Sequence, residues 1–224
     1  MERVRPVTLS REQRLPVPEA FDSLVPGGLR RGTVVGTGGR AATSLALALV
    51  SGASAQGSWV ATVDLPTLGL AAAAELGLDL SHLAVVAPPS PARWTTVVAA
   101  LVDGVDVVLT RPPRRTRPQE ARRLAARVRE RGAVLVLVAP ACVARTPGIG
   151  PSWPEGPDLR LTGTAMAWEG LGEGHGHLRA RRVTVERTGR RDVARPQRAD
   201  LWLPGPDGTV ALDDPPPVPL RAVG

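Results

Sequence analysis

The stretch Thr33-Val34-Val35-Gly36-Thr37-Gly38-Gly39-Arg40-Ala41-Ala42-Thr43-Ser44-Leu45-Ala46-Leu47 decides how the whole chain is read. Thr33-Val34-Val35 is short, β-branched and bounded by glycine, which predicts a buried strand. Gly36 to Arg40 reads as a glycine-rich loop, and Ala41 to Ser51, rich in Ala and Leu, as a helix. A glycine-rich loop leading from a buried strand into a helix is where a phosphate loop sits. Its motif is G-x-x-x-x-G-K-[ST], in which backbone N–H groups cradle phosphate and the lysine neutralises it. Gly36 and Thr43 stand at the first-glycine and hydroxyl positions, while Ala41 replaces the second glycine and Ala42 the lysine. Gly39 and Arg40 fill the loop between them, and Arg40 lies two positions early for the missing charge. An ordinary βα turn would show the same glycines. The expectation is a vestigial phosphate loop at Gly36, Gly39, Arg40, Ala41, Ala42 and Thr43 that holds no nucleotide and no other cofactor.

Outward from this stretch the alternation repeats. Strands are predicted at Trp59–Val63, Leu83–Val86, Val105–Leu109 and Ala133–Val138, with helices at Gly69–Leu76, Trp94–Leu101 and Pro118–Arg131 between them. Strands alternating with helices imply parallel βαβ units, and the continuous apolar strands imply a sheet covered on both faces. After Pro140 the pattern changes. Residues 144–157 are rich in Gly and Pro and read as loop, and Asp158–Glu169 and Leu178–Arg187 read as two strands joined by a turn over 170–177. Leu201-Trp202-Leu203 reads as a last strand. The expected fold is therefore α/β, a mostly parallel central sheet with helices on both faces and a C-terminal antiparallel extension. It comprises a lead-in over 1–22 with a short helix capped by Ser10, a domain over 23–212 and a proline-rich, disordered tail over 213–224.

Composition narrows the function. The 224 residues carry a formal charge of +7 and 43% hydrophobic residues, ordinary for a globular chain of one large domain. All 28 basic residues are arginine, so any chemistry that needs a lysine is excluded. The single cysteine, Cys142, excludes an internal disulfide, and no apolar run reaches the roughly 18 residues that span a membrane. With no apolar signal segment after Met1, the expectation is a cytoplasmic protein with no membrane contact. His175 and His177 flank Gly176 in a turn, a metal site would need further ligands, and Cys142 is not near in sequence, so no metal is expected.

The order of several segments resembles the bacterial RecA recombinase family over residues 20–210. Leu24-Val25-Pro26-Gly27-Gly28-Leu29-Arg30-Arg31-Gly32 is similar to the family's lead-in to its phosphate loop, and Gly57–Asp64 to its next strand. Glu75-Leu76-Gly77-Leu78-Asp79-Leu80-Ser81-His82-Leu83 resembles the segment that follows, Val105–Leu109 the strand of the second nucleotide motif, and Val134–Val138 the sensor strand. On that resemblance the catalytic glutamate falls on Pro66, the Mg²⁺-binding aspartate near Thr110 or Arg111, and the sensing glutamine near Pro140. With Ala42, four parts of the ATPase are missing, and an arginine beside the metal position repels Mg²⁺. This degenerate pattern looks like the actinobacterial ImuA-prime group, related to ImuA and SulA. The resemblance implies a non-enzymatic partner of an ImuB-like Y-family polymerase homologue and its replicative-type polymerase complex in translesion synthesis. The alternatives are a SulA-like cell-division inhibitor and a divergent ATPase.

Arg111, Arg114, Arg115 and Arg117 place four arginines in seven residues just past a core strand. Ligands of α/β sheets bind beyond the carboxyl ends of strands, so this loop is the candidate contact for an acidic partner or for DNA. A merely solvated loop is the alternative. The arginines of the 118–131 helix read as its wet face, with Leu124 and Val128 on the buried side. Leu178–Arg187 forms a second basic strand, similar to the region where RecA-type proteins place cations that reach a neighbouring subunit's nucleotide. Trp153, Trp168 and Trp202 suit either core or partner surface, and the lack of interleaved Phe and Tyr argues against a stacking platform for single strands.

Overall fold

The structure is a computed structural model that describes residues 14–88, 90–113, 116–140, 153–154, 156–172, 175–189 and 197–213. Strands β1 (Arg14–Leu15) and β2 (Leu29–Arg30) form a small antiparallel ladder, with a single 3₁₀ turn at Glu19–Phe21 between them. Leu15, Ala20, Phe21 and Leu24 are buried, so the described part of the lead-in belongs to the core. Ser10 lies outside the described residues.

The main element run is β3 (Val34–Gly39), α1 (Ala42–Ala55), β4 (Val60–Val63), α2 (Leu70–Glu75), β5 (Leu83–Val86), α3 (Trp94–Gly104), β6 (Val107–Thr110), α4 (Pro118–Arg131) and β7 (Val134–Pro140). Four more strands follow: β8 (Leu159–Leu171), β9 (Gly176–Gly189), β10 (Gln197–Trp202) and β11 (Ala211–Leu212). Among the described residues these build a nine-stranded sheet in the order β11-β10-β9-β8-β3-β7-β6-β4-β5. From β8 to β5 neighbouring strands are parallel, and from β8 to β11 they are antiparallel. This is the α/β class expected from the alternation.

Strand alternation divides the core in two. Val35, Val107, Leu109, Val134 and Val136 pack with α1, whereas Val34, Val108, Leu135 and Leu137 pack with α3 and α4. Connections from β3 toward the β5 edge carry α1 and α2, and those returning to β7 carry α3 and α4. Crossovers of one hand require this, because reversing direction along the sheet puts the helix on the other face. Helix α4 follows its sequence signals closely. Pro118 occupies the first turn, where its missing N–H costs nothing, and Gly132 ends the helix at φ 71°. No helix among the described residues is long and apolar enough to cross a membrane.

Three expectations change. The segment Gly36–Gly39 is strand rather than loop, paired to β7 from Val34 through Gly39 and to β8 from Val35 through Gly39. The turn expected over residues 170–177 is shorter, because β8 runs to Leu171 and β9 starts at Gly176. The last strand begins earlier, at Gln197, and gains the partner β11. Residues 144–152 and 214–224, Cys142 and the greater part of the proline-rich tail lie outside the described residues.

Candidate functional site

Because β3, β4, β6 and β7 are parallel, their carboxyl ends share one edge of the sheet. That edge collects Gly39, Arg40 and Ala41 after β3, Asp64 and Pro66 after β4, Arg111 after β6, and Pro140 at the end of β7. The positions singled out for nucleotide chemistry are thus brought together, in an arrangement that differs from a phosphate loop. Only Arg40 and Ala41 separate β3 from α1, too short a span for a loop to wrap a phosphate. The backbone of Gly36–Gly39 is hydrogen-bonded into two parallel ladders, and Arg40 N donates to Gly163 O at 2.9 Å.

The glycines have a different reason. Gly39 has φ +73°, and a Cβ there would stand 2.3 Å from Gly163 O. A Cβ on Gly163 would stand 2.0 Å from Arg40 O. Two backbones cross here at a distance no side chain tolerates, which is glycine's other use in a strand. Ala41, at φ 60°, takes the left-handed turn into α1 without a side-chain cap, Ala42 is buried, and Thr43 is half-buried.

The end of β6, the strand compared with the second nucleotide motif, is packed into the core. Thr110 is fully buried, and its hydroxyl accepts a 2.7 Å hydrogen bond from Trp94 Nε1, which ties α3 to β6. Arg111 is half-buried and its Nε has no hydrogen-bond partner among the described residues. The chain then turns through buried Pro112 and Thr116, whose hydroxyl donates to Pro113 O. Arg117 is exposed at the N-terminus of α4. Arg114 and Arg115 lie outside the described residues. The edge thus carries Arg40, Arg111 and Arg117, with Asp64 in the turn after β4.

The remaining basic segments separate by environment. On α4, Arg122, Arg123, Arg127, Arg129 and Arg131 are exposed and Leu124 and Val128 buried, as the helical spacing predicts. Arg127 and Arg131 both donate to Asp103 of α3, and the Arg127 hydrogen bond holds that carboxyl below the usual range. On β9 the sequence reading missed Arg181. It is 9% exposed, its Nε donates to Leu203 O at 2.5 Å, and its guanidinium stacks 4.8 Å from the Trp168 ring centroid. Burial pushes its pKa down. Arg182 covers Trp202 at 4.5 Å and pairs with Glu169 at 3.2 Å. These two arginines are engaged within the sheet's own extension rather than offered to a neighbour. The only available signal was their alternation along the strand, which does not say which side faces in. Trp153 is core, Trp202 is half-buried and Trp168 is exposed. His175 and His177 are exposed, and no group of three or more metal-ligating side chains occurs among the described residues.

Comparison with known proteins places the parallel part of this architecture. Uncharacterized protein Rv3395c of Mycobacterium tuberculosis (strain ATCC 25618 / H37Rv) is 42% identical over 125 residues, a stretch covering 54% of this chain and 59% of that protein. This chain thus spans less than two thirds of the relative it matches. The model of the MT3502 N-terminal domain matches residues 23–144, from the turn before β2 to just past β7. That is more than half of the chain, and the protein belongs to the MT3502 N-terminal domain family.

Proposed function

We propose that this protein is a non-catalytic, RecA-like accessory factor of the DNA damage response. It promotes translesion synthesis by contact with an ImuB-like Y-family polymerase homologue and the replicative-type polymerase complex associated with it. The observation that carries this reading is the carboxyl edge of the sheet. Where the resemblance calls for lysine, glutamate, aspartate and glutamine, the chain has Ala42, Pro66, Thr110 or Arg111, and the neighbourhood of Pro140. The glycine segment beside them is committed to two strand ladders. The mostly parallel sheet with helices on both faces suits the RecA-like resemblance, and a surface rich in arginine without the catalytic set suits recognition rather than turnover.

The contact is assigned to the loop of Arg111, Arg114, Arg115 and Arg117. Arginine pairs bidentately with carboxylate or phosphate, and the prolines at 112, 113 and 118 reduce the entropy lost on fixing the loop. Co-purification from DNA-damaged cells tests the reading. The ImuB-like protein is expected with wild type and depleted with the Arg114→Ala, Arg115→Ala, Arg117→Ala variant, more strongly at low salt because exposed charges are screened. The melting temperature should be unchanged. Recovery of a division GTPase instead, or micromolar Mg-ATP binding by calorimetry, overturns the proposal.

A further inference from the structure

A cavity of about 720 Å³ opens at the opposite, amino edge of the sheet, where β2, the start of β3, the start of β8 and the end of β9 meet α4. We propose that it binds an acidic peptide, an extended segment of a partner protein in which an aliphatic side chain is flanked by carboxylates.

Charge is the first argument. Arg14, Arg30, Arg31, Arg129 and Arg187 line the cavity against a single carboxylate, Asp158. Asp158 accepts from Val34 N at 2.9 Å, and Arg31 is neutralised by Asp106 at 2.8 Å. Arg14 donates from Nη1 to the carbonyls of Pro26 and Gly28, which does not offset its charge. Arg30 and Arg129 are exposed and make no ion pair among the described residues. Moreover, Arg14 and Arg30 are direct cross-strand partners in the β1–β2 ladder. Like charges facing each other across two strands oppose pairing, and an anion between them removes that penalty.

Shape is the second. The lining also offers apolar surface, with Pro26 exposed and Leu159 half-buried above the buried Leu24 and Leu29, while Arg14, Arg30 and Arg129 stand exposed. A ligand that fits places an apolar group inward and negative groups outward on both sides, the layout of a peptide. The volume falls within the roughly 300–1,000 Å³ of ordinary ligand sites. No aromatic residue lines the cavity, so nucleobases have nothing to stack on. This inference is independent of the translesion reading, since it rests on a different edge of the sheet.

The test uses the full chain and a fluorescein-labelled peptide of alternating leucine and aspartate, followed by anisotropy at low salt. Micromolar binding is expected. The Arg30→Glu, Arg129→Glu variant, which changes two exposed side chains, should lose at least tenfold in affinity with a thermal transition no lower than wild type, since the new carboxylate at position 30 faces Arg14 across the ladder. Replacing the peptide's leucines by serine should also weaken binding severalfold. The proposal is overturned if the peptide does not bind below millimolar, if the double variant binds it like wild type, or if the serine peptide binds equally well. A single-stranded oligonucleotide of equal charge that binds as tightly as the peptide and suffers the same loss would equally overturn it, since the site would then take any polyanion.

Discussion

The two halves of the sheet are held together in different ways. Strands β4 and β6 are short and wholly buried, and β3, β6 and β7 send alternate side chains into cores on the two faces, although the edge strand β5 leaves Val85 exposed. In the β8–β9 extension the strands run 13 and 14 residues, and past Thr164 the outer half of the pair is largely exposed. Leu171 is 64% and Leu178 48% exposed there. That outer half is held by cross-strand pairing and by arginines stacked on tryptophans rather than by burial. The family match covers residues 23–144, so it takes in the parallel strands β3 to β7 and ends before β8.

The sharpest way to break this contrast is at the seam where the halves meet. Gly163→Ala pushes a Cβ into Arg40 O, a fixed backbone atom, and should cost about 3 kcal/mol or more in denaturant unfolding. A loss under about 1 kcal/mol would mean that β3 and β8 are not tightly joined. Next in size is a matched pair of truncations. Leu135→Ala, at a fully buried site, should cost about 2–5 kcal/mol, and Leu171→Ala should stay within about 0.5 kcal/mol. Equal effects would erase the distinction between the halves. Arg181→Met sharpens the account of the extension. It removes the cation over Trp168 and the donor to Leu203 O, and should cost about 1–3 kcal/mol while leaving the far β5 edge unperturbed in hydrogen exchange.

The smallest effect is electrostatic and confined to the parallel half. Hydrogen bonds from Ser81 and His82 lower the Asp79 carboxyl from 3.8 to about 2. A carboxyl depressed on folding favours the native state once ionised in both states. Its contribution is therefore present above about pH 4 and is lost as pH falls through about 2. Carboxyl NMR should show this titration midpoint, moving up toward the ordinary value in Ser81→Ala. An unchanged midpoint in that variant would refute the cause assigned.

Much of the covered half could be read from residue order, because helices and buried strands carry local signals. Pro118, Leu124, Val128 and Gly132 mark both ends and the inner face of α4 without reference to anything distant. The glycines of β3 could not be placed this way. Glycine permits a loop and equally permits two backbones to touch, and what decides here is Gly163, far along the chain. The carboxyl-edge arginines were visible as a run, whereas those of the amino-edge cavity were not. Positions 14, 30, 31, 129 and 187 meet only after the strands pair.

The placement of β3 also has a consequence for how the protein is made. Val34 leaves the ribosome roughly a hundred residues or more ahead of Leu135 and Leu159, where pairing with the two flanking strands begins, so at about 5–20 residues per second both edges of β3 stay bare for on the order of 5–20 s. A β-branched strand of that kind would be a ready template for a neighbouring nascent chain. Gly36, Gly38 and Gly39 dilute that stickiness, because glycine-rich segments pair poorly until a specific partner arrives. The residues that permit the finished seam therefore also lower the pairing tendency of this strand while its partners are still missing.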